Sequence, residues 1–170
     1  WFPLREYSQA EIESLIKCPK IITSPPKKNL SLENGHYRNN MELESADKRN
    51  KFYVFMRKHS LFAENFTIGL DYIPEDGSGR LCLLRCNGPH GNHANNFFAD
   101  IPHHCDFHIH LAKEYNINAG LKSDLYAETT ESYVSFEDAL DFFIRYCNIQ
   151  GTEKYFPKHS QLTIFNGEEG

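Results

Sequence analysis

Between positions 37 and 86 the chain alternates apolar and polar residues in stretches short enough to be strands. Tyr37 to Leu43 and Lys51 to Lys58 follow this period of two. Phe66, Ile68, Leu70 and Tyr72 continue it up to a turn at Pro74-Glu75-Asp76-Gly77-Ser78-Gly79, and Leu81 to Cys86 runs back, which predicts a β-hairpin. Helical spacing flanks this block. Ser8-Gln9-Ala10-Glu11 has the capping-box form and is followed by Ile12, Leu15 and Ile16 before Cys18-Pro19 stops the element. Ser135 with Asp138 opens a second helix, whose apolar stripe is Phe136, Ala139, Leu140, Phe143, Ile144 and Cys147. The pattern predicts an α+β fold, an antiparallel sheet of about four to six strands with two or more packed helices.

A later strand carries the chemistry. In Cys105 to Leu111 the odd positions Cys105, Phe107, Ile109 and Leu111 are apolar, whereas Asp106, His108 and His110 are polar. Strand side chains point alternately to opposite faces, so His108 and His110 share one face, roughly 6.6 Å apart along the backbone, on a surface expected to be wet. Six of the nine histidines fall between positions 90 and 110. Imidazole suits both proton transfer near neutrality and metal ligation.

Length and composition narrow the setting. At 170 residues the expectation is one domain over 1–170, with an N-terminal helix and extended connector to 30, a core over 35–150 and an extension over 151–170. Within that extension Gln161 to Phe165 reads as an edge strand. No apolar run reaches a membrane span and no signal-peptide pattern opens the chain, which begins at Trp1. Five cysteines without a CxxC pair read as buried reduced thiols, which favours the cytoplasm. A net charge of −5 argues against strong non-specific nucleic-acid binding and leaves room for a local basic site. No glycine-rich phosphate loop and no G-x-S-x-G elbow is present, so nucleotide-dependent and serine-hydrolase chemistry are not indicated.

The strings LLRCNGPHG (Leu83 to Gly91), DFHIH (Asp106 to His110), YAETTESY (Tyr126 to Tyr133) and SFEDAL (Ser135 to Leu140) together resemble a family of small bacterial proteins known only as a domain of unknown function. That resemblance covers about Phe66 to Ile149 and implies no activity. More distantly, Arg85, Asn87, Pro89 and His90, followed by Pro102, His103, His104 and the His108/His110 pair, resemble TumE-type toxins of bacterial toxin-antitoxin pairs. The spacing over Cys105 to Phe107 is wider here, and a second histidine after His90 is missing. The likeness implies a toxin or defence component controlled by an antitoxin or another regulatory protein.

Cleaving RNA without a metal requires a base for the 2′-hydroxyl, an acid for the leaving 5′-oxygen and a cation for the phosphate. His108 and His110 supply imidazoles on one face, Arg85 a bidentate phosphate grip, and His90 or His104 can stand in for either imidazole. Asn87 and His104 are expected to contact substrate, and Asp106 to orient an imidazole. These residues make a metal-independent ribonuclease acting on RNA, with no cofactor, the leading expectation. A zinc or other metal site built from His90, His93, His108 and His110 is the alternative, and His108-x-His110-x3-Glu114 matches part of the cupin metal motif. A non-catalytic protein-interaction module is the third reading, with no membrane partner in any of them.

Overall fold

The computed structural model describes residues 5–89 and 106–156. The first helix, α1 (Gln9–Lys17), starts where the capping box puts it: the Ser8 hydroxyl accepts a hydrogen bond from the Glu11 N–H, and Ile12, Leu15 and Ile16 are buried. The chain then adds β1 (Lys20–Ser24), β2 (Ser31–Glu33), β3 (His36–Ser45), β4 (Lys51–His59), β5 (Phe66–Ile73), β6 (Leu81–Asn87) and β7 (His108–Leu111). A short α2 (Glu114–Asn118), β8 (Tyr126–Thr129), α3 (Phe136–Tyr146) and β9 (Ile149–Gln150) complete the order. Ser135 caps α3 by accepting from the Asp138 N–H, and Phe136, Ala139, Leu140, Phe143 and Cys147 of its stripe are buried, with Ile144 partly so.

The α+β class holds, but the sheet is larger than expected and not purely antiparallel. Nine strands run in the order β8-β7-β6-β5-β4-β3-β1-β9, with β2 beside β3. The β1–β9 pair is parallel. The additional strands β1, β2, β8 and β9 have two to five residues each, too few for alternation to stand out, and they owe their conformation to the neighbours they pair with. The edge strand expected at Gln161 to Phe165 lies outside the described residues.

One face of the sheet carries the core. Met41, Leu43, Phe52, Val54, Met56, Phe66, Ile68, Leu70, Leu84, Cys86 and Ile109 cluster there with the buried stripes of α1 and α3. The registers then assign the other face without ambiguity, because residues paired across strands share a side. Asn40, Phe55, Gly69, Arg85, His110 and Ala127 form one row, and Arg38, Arg57, Thr67, Asn87, His108 and Thr129 form the next.

Arg85 reaches that face because of a bulge. Leu70 pairs with Leu84, yet the next residue, Asp71, pairs with Cys82, so Leu83 is an extra residue on β6. Leu83 and Leu84 are consequently both buried, and Cys82 and Arg85, three apart, share a face. The end of β6 is fixed by a close approach: the Gly88 N–H donates to the Phe66 carbonyl at 3.0 Å, and a Cβ on Gly88 would lie 1.8 Å from the Glu64 carbonyl oxygen. Gly88→Ala is therefore expected to force two backbones apart and destabilise the chain by about 1–3 kcal/mol. A urea midpoint equal to that of the parent would contradict this packing.

Candidate functional site

Arg85 and His110 are Cα partners across β6 and β7, and Asn87 and His108 are the next pair. This places four of the residues singled out from sequence in two adjacent rows. His90, His93 and His104 lie outside the described residues. The imidazoles of His108 and His110 are 5.1 Å apart between centroids and inclined at 70°.

Their surroundings differ from the wet surface expected. His108 is 2 % exposed and Asn87 likewise 2 %. Tyr133, itself buried, ties the ends of β6 and β7 to the core: its hydroxyl lies 3.0 Å from the Asn87 carbonyl and 2.7 Å from the His108 carbonyl. Burial raises the Tyr133 phenol well above its ordinary value, so it stays a donor. Asp106 also acts differently from expectation. Its carboxylate belongs to an exposed residue, and the backbone carbonyl of Asp106 is what His108 Nδ1 meets, at 2.8 Å.

In their neutral forms both imidazoles have the same tautomer. A carbonyl can only accept, so His108 Nδ1 donates to Asp106, and His110 Nδ1 donates to the Asp124 carbonyl at 3.0 Å. Nε2 is then the basic nitrogen of each ring. His110 is strongly shifted: burial, then the charges of Arg85 and His108, lower its pKa to about 3. It is neutral at physiological pH.

Asp124 is the residue that sequence reasoning missed. It sits in the loop between α2 and β8, is 1 % exposed, and binds both members of the Arg85/His110 pair. Its carbonyl holds the His110 ring, and its Oδ2 accepts from Arg85 Nε in a tight ion pair. Burial works to raise the Asp124 carboxyl, but Arg85 and Lys122 hold it below its ordinary value. Oδ1 is buried with no hydrogen-bond partner among the described residues. The loop is anchored by Ser123, whose hydroxyl donates to the Cys82 carbonyl at 2.9 Å. Only the polar cluster Lys122-Ser123-Asp124 hinted at it in the sequence.

Next to this pair, on the same sheet face, lies a cavity of about 530 Å³ to which Arg85 and Asp124 contribute. Tyr53 and Phe55 line it from β4 and Arg38 and Asn40 from β3. No group of three or more histidine, cysteine or carboxylate side chains arranged to hold a metal is present among the described residues. Glu114 in particular does not complete a cupin-like set. Its carboxylate accepts from the Gln9 N–H at 2.9 Å at the start of α1, where a negative charge meets unsatisfied helical N–H groups.

A family model described as a family of unknown function (DUF6978) matches residues 7–149. The chain belongs to this family. The matched span of DUF6978 takes in α1, every strand of the sheet but β9's last residue, and α3, so the Arg85/His110 pair and Asp124 lie within it. No curated protein and no solved structure matches the chain. No helix among the described residues is long and apolar enough to cross a membrane, and Cys18, Cys82, Cys86 and Cys147 are free thiols.

Proposed function

We propose that this DUF6978 protein is a metal-independent ribonuclease whose reacting groups centre on His110 and Arg85. The observation that supports it is the direct opposition of these residues across β6 and β7, with Asp124 holding both. His110 Nε2 takes the proton of a 2′-hydroxyl, the freed oxygen attacks the adjacent phosphorus, and the P–O5′ bond breaks to leave a 2′,3′-cyclic phosphate. A second, protonated imidazole gives its proton to the departing O5′, a role for His108, His90 or His104. Arg85 carries the charge that builds on the phosphoryl oxygens. An incoming phosphate also offsets the Arg85 charge that depresses His110, which makes the imidazole a stronger base with substrate bound. Cellular RNA is the substrate and the cytoplasm the place of action. Control by an antitoxin or other regulatory protein follows from the likeness to TumE-type toxins.

One observation favours a metal instead. Histidines that ligate metals commonly donate the other ring N–H to a backbone carbonyl, and both His108 and His110 do so. His90 and His93 would then complete a zinc site. Incubating the full chain with single-stranded RNA in excess EDTA separates the readings. Cleavage to 2′,3′-cyclic phosphate ends is the expected result. Activity that disappears with EDTA and returns with Zn²⁺ transfers the assignment to the metal reading, and no cleavage in either condition removes both.

A further inference from the structure

The cavity beside Arg85 combines an aromatic wall with more cations than carboxylates. On β4, Phe55 faces Gly69 of β5 in register, and a Cβ on Gly69 would lie 2.0 Å from Phe55 Cζ. The ring therefore leans over β5, into space that only a glycine leaves open. Tyr53, two residues earlier on the same face, is covered by the Arg80 guanidinium at 4.5 Å, whereas Phe55 has no such cover among the described residues.

The charges run against those of the whole chain. Lys27, Arg38, Arg57, Arg85 and Lys122 line the cavity against Glu33, Asp71 and Asp124, five cations to three carboxylates, in a protein of net charge −5. Asp124 is taken by Arg85, and Glu33 stands 3.7 Å from Arg38. Burial pushes the Asp71 carboxyl up, weakening the third acid. Arg57 has no carboxylate within 4.0 Å among the described residues. It stands directly opposite Arg38 across β3 and β4, and like charges in that relation destabilise a sheet. Burial and then the charges of Arg38 and Arg85 lower its pKa, so its charged neighbours in this face repel it. An anion placed among these three guanidinium groups would reverse that balance.

We infer that this cavity is a subsite for single-stranded RNA, in which one base stacks on Phe55 and a backbone phosphate sits among Arg57, Arg38 and Arg85. Phe55 and Arg85 are two strands apart in one row, roughly 9.6 Å, so a strand seated on Phe55 runs on to the Arg85/His110 pair. A base must leave its helix to use the ring, which selects single strands over duplexes. This deepens the ribonuclease reading and rests on it only for the strand being RNA.

The test is fluorescence anisotropy with a labelled uridine octamer, using full-length His110→Gln to prevent turnover. In that background Phe55→Ala and Phe55→Leu are each expected to weaken binding roughly 10-fold or more. Leucine keeps an apolar side chain at position 55, so equal losses in both trace to the ring. Arg57→Ala should weaken binding and reduce the salt slope by about 1, while Lys154→Ala, outside the cavity, changes neither. Unchanged affinity in both Phe55 variants overturns the subsite, as does duplex RNA bound as tightly as the octamer. Uridine monophosphate competing as well as the octamer overturns the assignment to a strand. Binding that depends on Phe55 in a wild-type protein that cleaves nothing leaves the subsite standing and removes the ribonuclease. Cleavage indifferent to Phe55 does the reverse.

Discussion

His110→Gln is expected to lower RNA cleavage by about 10²- to 10⁴-fold, the usual contribution of a positioned general base, while leaving the sheet intact. Glutamine keeps a polar side chain able to donate to the Asp124 carbonyl but cannot take up a proton. The pH dependence gives the loss a signature. With its pKa at about 3 in the free protein, His110 is deprotonated over the whole range above pH 5, so kcat/KM should not fall between pH 7 and pH 5 on account of the base. A profile that drops with a midpoint near 6.5 would show that His110 titrates as an ordinary histidine and is not the base described.

Stability provides an independent readout of the same residue. The folded pKa lies below the unfolded value of 6.5, so between about 3 and 6.5 the unfolded chain binds a proton that the folded chain does not. The associated stability is complete above pH 6.5 and is lost as pH falls toward 3. His110→Gln removes this part of the dependence. Urea midpoints at pH 7 and pH 4.5 should therefore lie closer together in the variant than in the parent.

The largest expected loss of stability lies far from the site. Lys20→Met should cost about 3–5 kcal/mol, in the range for removing one partner of a buried charged network. Lys20 is 0 % exposed, and its Nζ donates to the carbonyls of Ile16 at 2.7 Å, Cys18 at 3.0 Å and Cys147 at 2.8 Å. The ends of α1 and α3 thus converge on one ammonium, each with its negative dipole end toward it. The Phe52 ring lies 4.9 Å from Nζ and adds an aromatic partner. Burial lowers the Lys20 pKa, yet the three acceptors satisfy all three N–H groups. Methionine preserves the apolar stem and leaves those carbonyls without the donor. A urea-derived loss below 1 kcal/mol would show that the carbonyls find water or other partners.

Lys20 also shows where the sequence stops being legible. A lysine between Pro19 and Ile21 has every appearance of a surface residue, and only the meeting of two helix ends makes its burial favourable. The capping boxes at Ser8 and Ser135 were readable because a cap is a local interaction, and β3 to β6 because one face of each is buried. The short strands β1, β8 and β9 were not, since their pairing partners are distant in sequence. For the site, alternation placed His108 and His110 on one side, but the burial of His108 comes from tertiary packing, and the link to Arg85 required the β6–β7 register. The cavity did leave a trace. The alternation expected over Lys51 to Lys58 in fact breaks down at Phe52 to Met56, which is apolar at every position, the mark of a strand with apolar groups on both faces.

The bulge on β6 makes the site depend on counting. Arg85 reaches His110 only because Leu83 is supernumerary in its ladder. Shortening the strand by that one leucine would leave composition and hydrophobicity almost unchanged, yet it would shift the phase of the residues on one side of the gap relative to the other. A guanidinium and a thiol, Arg85 and Cys86, would then compete for the places now held by one another. A relative that shares this site must therefore keep the strand phase between the hairpin turn and this arginine as well as the arginine itself.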